Sequence, residues 1–223
     1  VTTPACGVLF HFTHIDNLPS LLEDGALLSD TTVTANGLLS TEAGNPEIKQ
    51  RRRERPVTCR PGGVVGDYVP FYFASRSPMM YQLWQGGVPT FTGDHRDLVY
   101  LVSRVDLIVE SGLEFVISDR NAAKALADFT DDVTLLGDLT SSTPQSQFID
   151  WPLMRARMWR NTPGDGERME RRMAEFLVLD AVPFDLLEIA AVQSDRHKAM
   201  VEHLFASVGL DLQVVTRPDW YYP

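Results

Sequence analysis

Residues 66–84, GDYVPFYFASRSPMMYQLW, constrain the chain more than any other stretch. Val69, Phe71 and Phe73 alternate with Pro70, Tyr72 and Ala74 at the period of a strand, so one face is apolar and the other carries Tyr72. The alternation breaks at Ser75, Arg76, Ser77 and Pro78, where Ser77 suits a helix N-cap and Pro78 the first helical position. Two readings follow. The stretch is an ordinary buried strand leading into a capped helix, or its C-terminal mouth holds something polar beside something flat.

The rest of the chain predicts further strands and short helices around it. Residues 7–13 alternate as a strand with Val8, Phe10 and Phe12 on one side and Leu9, His11 and Thr13 on the other. Among those apolar neighbours His11 reads more readily as a satisfied core residue than as a functional one. Asn17, Pro19 and Gly25 bracket a short helix, and residues 29–45 read as a loop. Asn45 or Pro46 opens a polar helix that runs through Arg55 and closes at Pro56. Residues 98–103 and 114–118 are strands separated by a short helix with a Gly112 stop. A helix over 150–160 sets Trp151 and Trp159 among Arg155, Arg157 and Arg160, either as core packing beside solvated charge or as a stacking surface for single-stranded nucleic acid. Glu175 interrupts the apolar strand 174–179, where an unpartnered carboxylate costs several kcal/mol, so it needs a polar partner. A helix over 195–208, a strand over 212–216 and a terminal Trp220, Tyr221 and Tyr222 that cover a sheet edge complete the chain.

Charge narrows the partners. The net charge of −10 argues against phosphate binding in bulk, but it is unevenly spread. Residues 49–60 hold six basic side chains and one acid, and residues 155–172 hold six basic and three acidic, so two basic islands sit on an acidic body. With 223 residues, 44% hydrophobic, the chain reads as one soluble domain with insertions. Cys6 and Cys59 form neither a disulfide framework nor a metal spacing, which makes a reducing cytoplasm the default and predicts no metal. No apolar run is long enough for a membrane span.

The order Tyr72, Phe73, Ala74, Ser77, Tyr81 resembles the nicotinamide-binding strand and helix of ADP-ribosyltransferases. More narrowly, DYVPFYFASRSPMMY at 67–81 resembles the DarT toxin family, which transfers ADP-ribose from NAD onto DNA bases. HFTHIDNL at 11–18, AEFLV at 174–178 and DWYY at 219–222 agree with that family, in the same order. The resemblance implies an α+β ADP-ribosyltransferase fold in which two small, mainly antiparallel sheets meet at an NAD cleft with short helices outside. It implies that residues 1–223 form one such domain, with 29–60 folding over NAD and 119–173 presenting the target nucleotide. His11, Thr13 and Asn17 would hold the adenosine half of NAD, Tyr72 and Tyr81 would flank the nicotinamide, and Ser77 would bond its carboxamide. Glu175 and Arg52 would be catalytic, Arg52 also meeting the cofactor phosphates, although Arg51 lies one register away in KQRRRER. Asn121, Arg155, Trp159 and Arg160 would meet the DNA. The implied activity is a toxin's, on thymidine in single-stranded DNA, with NAD as co-substrate and a macrodomain antitoxin as partner. An enzyme of this fold acting on RNA or protein, an NAD glycohydrolase, and a binding module without catalysis are the alternatives.

Overall fold

The computed structural model describes residues 7–37, 45–137 and 148–223. In chain order the strands are β1 (Val8–His14), β2 (Ala26–Leu28), β3 (Tyr68–Tyr72), β4 (Leu98–Arg104), β5 (Phe115–Ser118), β6 (Phe129–Thr130), β7 (Glu175–Leu179), β8 (Ala181–Pro183), β9 (Ile189–Val192) and β10 (Gln213–Thr216). The α-helices are α1 (Leu18–Asp24), α2 (Asp30–Asn36), α3 (Pro46–Glu54), α4 (Pro78–Trp84), α5 (Val105–Ser111), α6 (Trp151–Arg155), α7 (Arg168–Arg171) and α8 (Asp195–Ser207).

The α+β class is as expected, but the sheet count is not. Eight strands form one sheet in the order β10-β9-β4-β1-β3-β7-β5-β6, and β2 and β8 make a separate two-stranded ladder. All neighbours in the large sheet are antiparallel except β9 and β10. The expected division survives as a seam within that sheet. β1 pairs with β4 from Val8 to His14, and β3 pairs with β7 along its whole length, yet β1 meets β3 at one register pair, Phe10↔Tyr72. Pro70 explains the break: it has no N–H to extend the ladder, and its carbonyl oxygen accepts a hydrogen bond from His11 Nδ1 at 2.9 Å.

Alternation along the strands gives the sheet two apolar faces. Leu9, Val69, Phe71, Leu101, Phe176 and Val178 share one core, all fully buried, together with Val201 and Phe205 of α8. Tyr100, Val102 and Ala191 point the other way, toward Met80 and Leu83 of α4 and the C-terminal aromatics. Full burial of one such aliphatic or aromatic side chain is worth about 1.5–3 kcal/mol. Trp220 packs edge-on against Phe10 and Tyr100, with ring centroids 5.1 and 5.5 Å apart, and Tyr221 donates its hydroxyl to the Leu98 carbonyl at 2.7 Å. Both rest on interior strands, so the tail covers a face of the sheet and not its edge.

Two local expectations are also corrected. Residues 30–36 are helical and not loop: Ser29 Oγ accepts from the Thr32 amide at 3.3 Å, Asp30 sits in the first turn, and Gly37 ends α2 with φ 67°. The cap signature outweighs the weak helix propensity of three threonines and an asparagine. Residues 38–44 of the expected loop lie outside the described residues, as does the whole Ser/Thr stretch at 140–147. The helix over 150–160 is only five residues long. Asp150 Oδ1 caps it by accepting from the Leu153 amide at 3.0 Å. Arg172 Nη1 then donates to the carbonyls of Leu153, Met154 and Ala156, and the chain turns extended at Ala156. Trp151, Trp159 and the arginines around them therefore do not line one helical face.

Candidate active site

Strand register brings together residues far apart in sequence. Glu175 opens β7 and pairs with Tyr72 on one side and Ser118 on the other, so the end of β3, the start of β7 and the end of β5 meet at one place. Glu175 is fully buried. Its Oε1 accepts from the Ala122 amide at 3.0 Å, and Arg52 Nη1 donates to both carboxylate oxygens, at 3.0 and 2.8 Å. The Ser118 hydroxyl oxygen accepts the Glu175 amide at 3.2 Å. This is the polar partnership that a carboxylate on an apolar strand requires.

Arg52 comes from α3, and among the arginines of KQRRRER it is the one that reaches Glu175. Arg51 faces solvent beside Glu47, and Arg53 Nε donates to Asp30 Oδ2 at 2.7 Å. Burial works against the Arg52 charge, but Glu175 outweighs it and holds the guanidinium above its ordinary value. Arg52 Nη2 is buried and has no partner among the described residues. Gly66 permits α3 to lie this close, since a Cβ there would stand 3.2 Å from Arg53 Cα. Burial first, and then Glu175, push the Tyr72 phenol above its usual range. Its ring stacks on Phe12, with centroids 6.1 Å apart and planes at 25°, and its hydroxyl donates to Met79 Sδ at 3.4 Å.

On the other side of the seam, burial lowers the pKa of His11 while its bond to the Pro70 carbonyl pulls the other way. In the neutral ring that bond fixes the proton on Nδ1 and leaves Nε2 as an acceptor. Thr13 shares the His11 face of β1 by alternation, and its Oγ1 accepts from Asn17 Nδ2 at 3.1 Å.

The remaining predicted residues are more scattered. Ser77 is fully buried and caps α4, its Oγ accepting from the Met80 amide at 3.2 Å. Tyr81 packs against Trp84, Trp159 and Tyr222 at 5.2–5.6 Å, so the ring stacked on Tyr72 is that of Phe12. Asn121 is buried, its Oδ1 accepting from the Ala123 amide at 3.0 Å, and it adjoins the Ala122 amide that binds Glu175. Arg155 and Arg160 are exposed, whereas Trp159 is only 7% exposed and presents no free face for stacking. Among the described residues no His, Cys, Asp or Glu cluster is placed to hold a metal ion, and no helix is long and apolar enough to cross a membrane.

A family model described as "ssDNA thymidine ADP-ribosyltransferase, DarT" matches residues 10–222. A DNA ADP-ribosyl transferase of Mycobacterium tuberculosis is 34% identical over 218 residues, 96% of this chain and 89% of that protein. The structure of Thermus sp. 2.9 DarT in complex with ADP-ribosylated ssDNA superimposes with a TM-score of 0.88 at 32% identity, covering 100% of this chain and 99% of that one. Its complex with NAD+ does so with a TM-score of 0.81 at 32% identity, covering 99% and 100%. A Thermosipho africanus fusion of a DNA ADP-ribosyl transferase with a DNA ADP-ribosyl glycohydrolase is 26% identical over 117 residues, 52% of this chain and 28% of that protein.

Proposed function

We propose, for a chain that belongs to the DarT family of single-stranded-DNA thymidine ADP-ribosyltransferases, that it is an NAD-dependent enzyme transferring ADP-ribose to thymidine in single-stranded DNA. The observation that carries this reading is the buried Arg52–Glu175 pair beside Tyr72, a charged constellation that the fold alone does not need.

The reaction breaks the bond between C1′ and nicotinamide, whose nitrogen keeps the electron pair, and leaves C1′ with oxocarbenium character. Glu175 accepts a hydrogen bond from the 2′-hydroxyl of that ribose and supplies the negative charge that stabilises C1′. A base nitrogen then donates its pair to C1′, and its proton passes to Glu175 as general base. The Ala122 amide and Arg52 Nη1 hold the carboxylate in one orientation, which is positioning done before the chemistry begins. Arg52 Nη2, without a partner among the described residues, is the group that takes an oxygen of the NAD pyrophosphate or of the acceptor. His11 Nε2 accepts from a hydroxyl of the adenosine ribose, with Thr13 and Asn17 beside it. Tyr72 and Phe12 offer one aromatic wall to the nicotinamide, and Ser77 and Tyr81 line the entry of α4 beyond it.

In this reading α3 covers bound NAD, and residues 119–173 present the nucleotide through Asn121, Arg155 and Arg160. The reaction belongs in the cytoplasm, where NAD and DNA are both present, and its action there is a toxin's. A macrodomain antitoxin that removes the modification is its partner. The Thermosipho fusion, which joins a transferase to a glycohydrolase, supports such a pairing.

The test is mass spectrometry of defined single-stranded DNA, duplex DNA and RNA after incubation with the protein and NAD. The expected product is one ADP-ribose on single-stranded DNA, located on thymidine by fragmentation and absent with Glu175→Ala. Modified RNA alone would reassign the acceptor, and free ADP-ribose with every acceptor unmodified would sink the transferase reading in favour of a glycohydrolase.

A further inference from the structure

A cavity of about 330 Å³ opens beside the Tyr72–Glu175 pair. Its wall includes Phe73 to Arg76, the residues that directly follow Tyr72, and Arg172, three residues ahead of Glu175. Arg155 and Arg157 complete a set of four arginines with Arg76 and Arg172, and among the described residues no Asp or Glu lines the cavity. In a chain of net charge −10 that concentration of one sign is unusual.

Arg172 makes the argument specific. It is only 4% exposed, yet among the described residues every acceptor it meets is a neutral carbonyl: Leu153, Met154 and Ala156 from Nη1, and Arg76 at 3.5 Å from Nη2. Its Nε has no partner among the described residues. Burial lowers its pKa to about 10, so the guanidinium still carries its charge at neutral pH. A buried cation with carbonyl partners and no carboxylate is held in place but not neutralised. Arg76 adds a second fixed charge, its guanidinium lying 4.4 Å above the Tyr222 ring. Arg157 adds a third at the exposed rim.

We propose that this cavity is a phosphate subsite that holds one phosphodiester of the single-stranded DNA next to the acceptor nucleotide, through Arg76, Arg157 and Arg172. The proposal rests on the transferase reading above and deepens it. A phosphate fixed here orients the neighbouring nucleotide toward Glu175, and it makes affinity for DNA depend on a position that reads no base. The same chemistry would accept the NAD pyrophosphate, so the two sources must be separated.

The experiment compares the parent, Arg157→Ala and Arg172→Lys in three measurements. The first is the salt dependence of affinity for a labelled single-stranded oligonucleotide. The second is NAD affinity without DNA. The third is affinity for oligonucleotides with a neutral methylphosphonate at one position, moved in turn along the phosphates flanking the target. Losing one phosphate contact should lower the slope of log K against log salt by about 0.7. Arg157→Ala should show that loss while its NAD affinity stays at the parent value. One methylphosphonate position should weaken the parent and leave Arg157→Ala unchanged, which places phosphate and arginine in one contact. Because Arg157 is exposed, this variant tests the subsite even if Arg172→Lys fails to fold. NAD affinity lost with an unchanged DNA slope assigns the cavity to the pyrophosphate and overturns the proposal, as does no change in either. A parent that neither binds nor modifies single-stranded DNA fails the transferase reading itself, before any variant is compared.

Discussion

A carboxylate buried to the degree of Glu175 is tolerable only because two donors meet it, the Ala122 amide and the Arg52 guanidinium. One half of that arrangement is legible in the sequence. Glu175 interrupts an apolar strand and so announces a need for partners, whereas Arg52 is singled out among 20 Lys and Arg residues by the family resemblance alone. The Ala122 amide is not legible, because every residue but proline has an N–H and only strand register decides which one faces Glu175. Arg172 was hidden for a different reason: in a run rich in arginine, nothing local separates a buried guanidinium from a solvated one. His11 gives the residue scale its prediction. Its folded pKa lies below the ordinary value of about 6.5, because burial disfavours the imidazolium. Between the two values the unfolded chain binds more protons than the folded one. The stability from a neutral His11 is therefore full above about pH 6.5 and is lost as pH falls through the folded pKa. Melting temperature measured from pH 7.5 down to pH 5 should fall more steeply in the parent than in His11→Phe, and parallel curves would show that another group titrates.

Helix α3 has no buried residue, so apolar packing does not hold it in place. Ion pairs and hydrogen bonds do. Lys49 and Arg53 meet Asp30 at 2.7 Å each, Arg52 meets Glu175, and Arg55 donates to the carbonyls of Ala125 and Ala127 at 3.0 and 3.1 Å. The sequence predicts this helix from its Asn45 cap, Pro46 and closing Pro56, all of which are local signals. What it covers is not local, and depends on cations matched to acceptors far along the chain. Asp30→Asn should loosen α3 by about 1–2 kcal/mol and speed exchange of its amides roughly 5–30-fold in hydrogen–deuterium exchange, leaving β3 and β7 unaffected. Exchange of α3 as slow as in the parent would mean that Asp30 does not anchor it. Salt should act in the same direction as the mutation, because it screens charge and spares apolar packing.

At the scale of the whole molecule, the sheet is one layer with apolar groups on both faces, and the C-terminal aromatics complete the second face. Trp220 joins Phe10 of β1 to Tyr100 of β4, so Trp220→Ala should cost about 3–5 kcal/mol and lower the melting temperature by roughly 10 °C. A change of a degree or two by calorimetry would place these rings outside the cooperative core. The strands were legible because period-2 alternation marks β1 and β3, while β4 is a short continuous apolar run. Their order was not, since alternation says which side chains share a face and nothing about which strand lies beside which. Resemblance to a family supplied the class and two sheets, and Pro70 accounts for the seam that such a division describes.

The position of β7 in that order carries a consequence in time. It fills the place between β3 and β5, although residues 68–72 and 115–118 precede it in the chain. As the polypeptide leaves the ribosome, the site half that bears Tyr72 and the half that bears Ser118 emerge first and wait for residues 175–179 to join them. Arg52 has no Glu175 to meet until that strand arrives. With Glu175 in the proposed role, a nascent chain lacks its carboxylate until β7 is inserted, and the cell that makes it has the whole of that interval before transfer can begin.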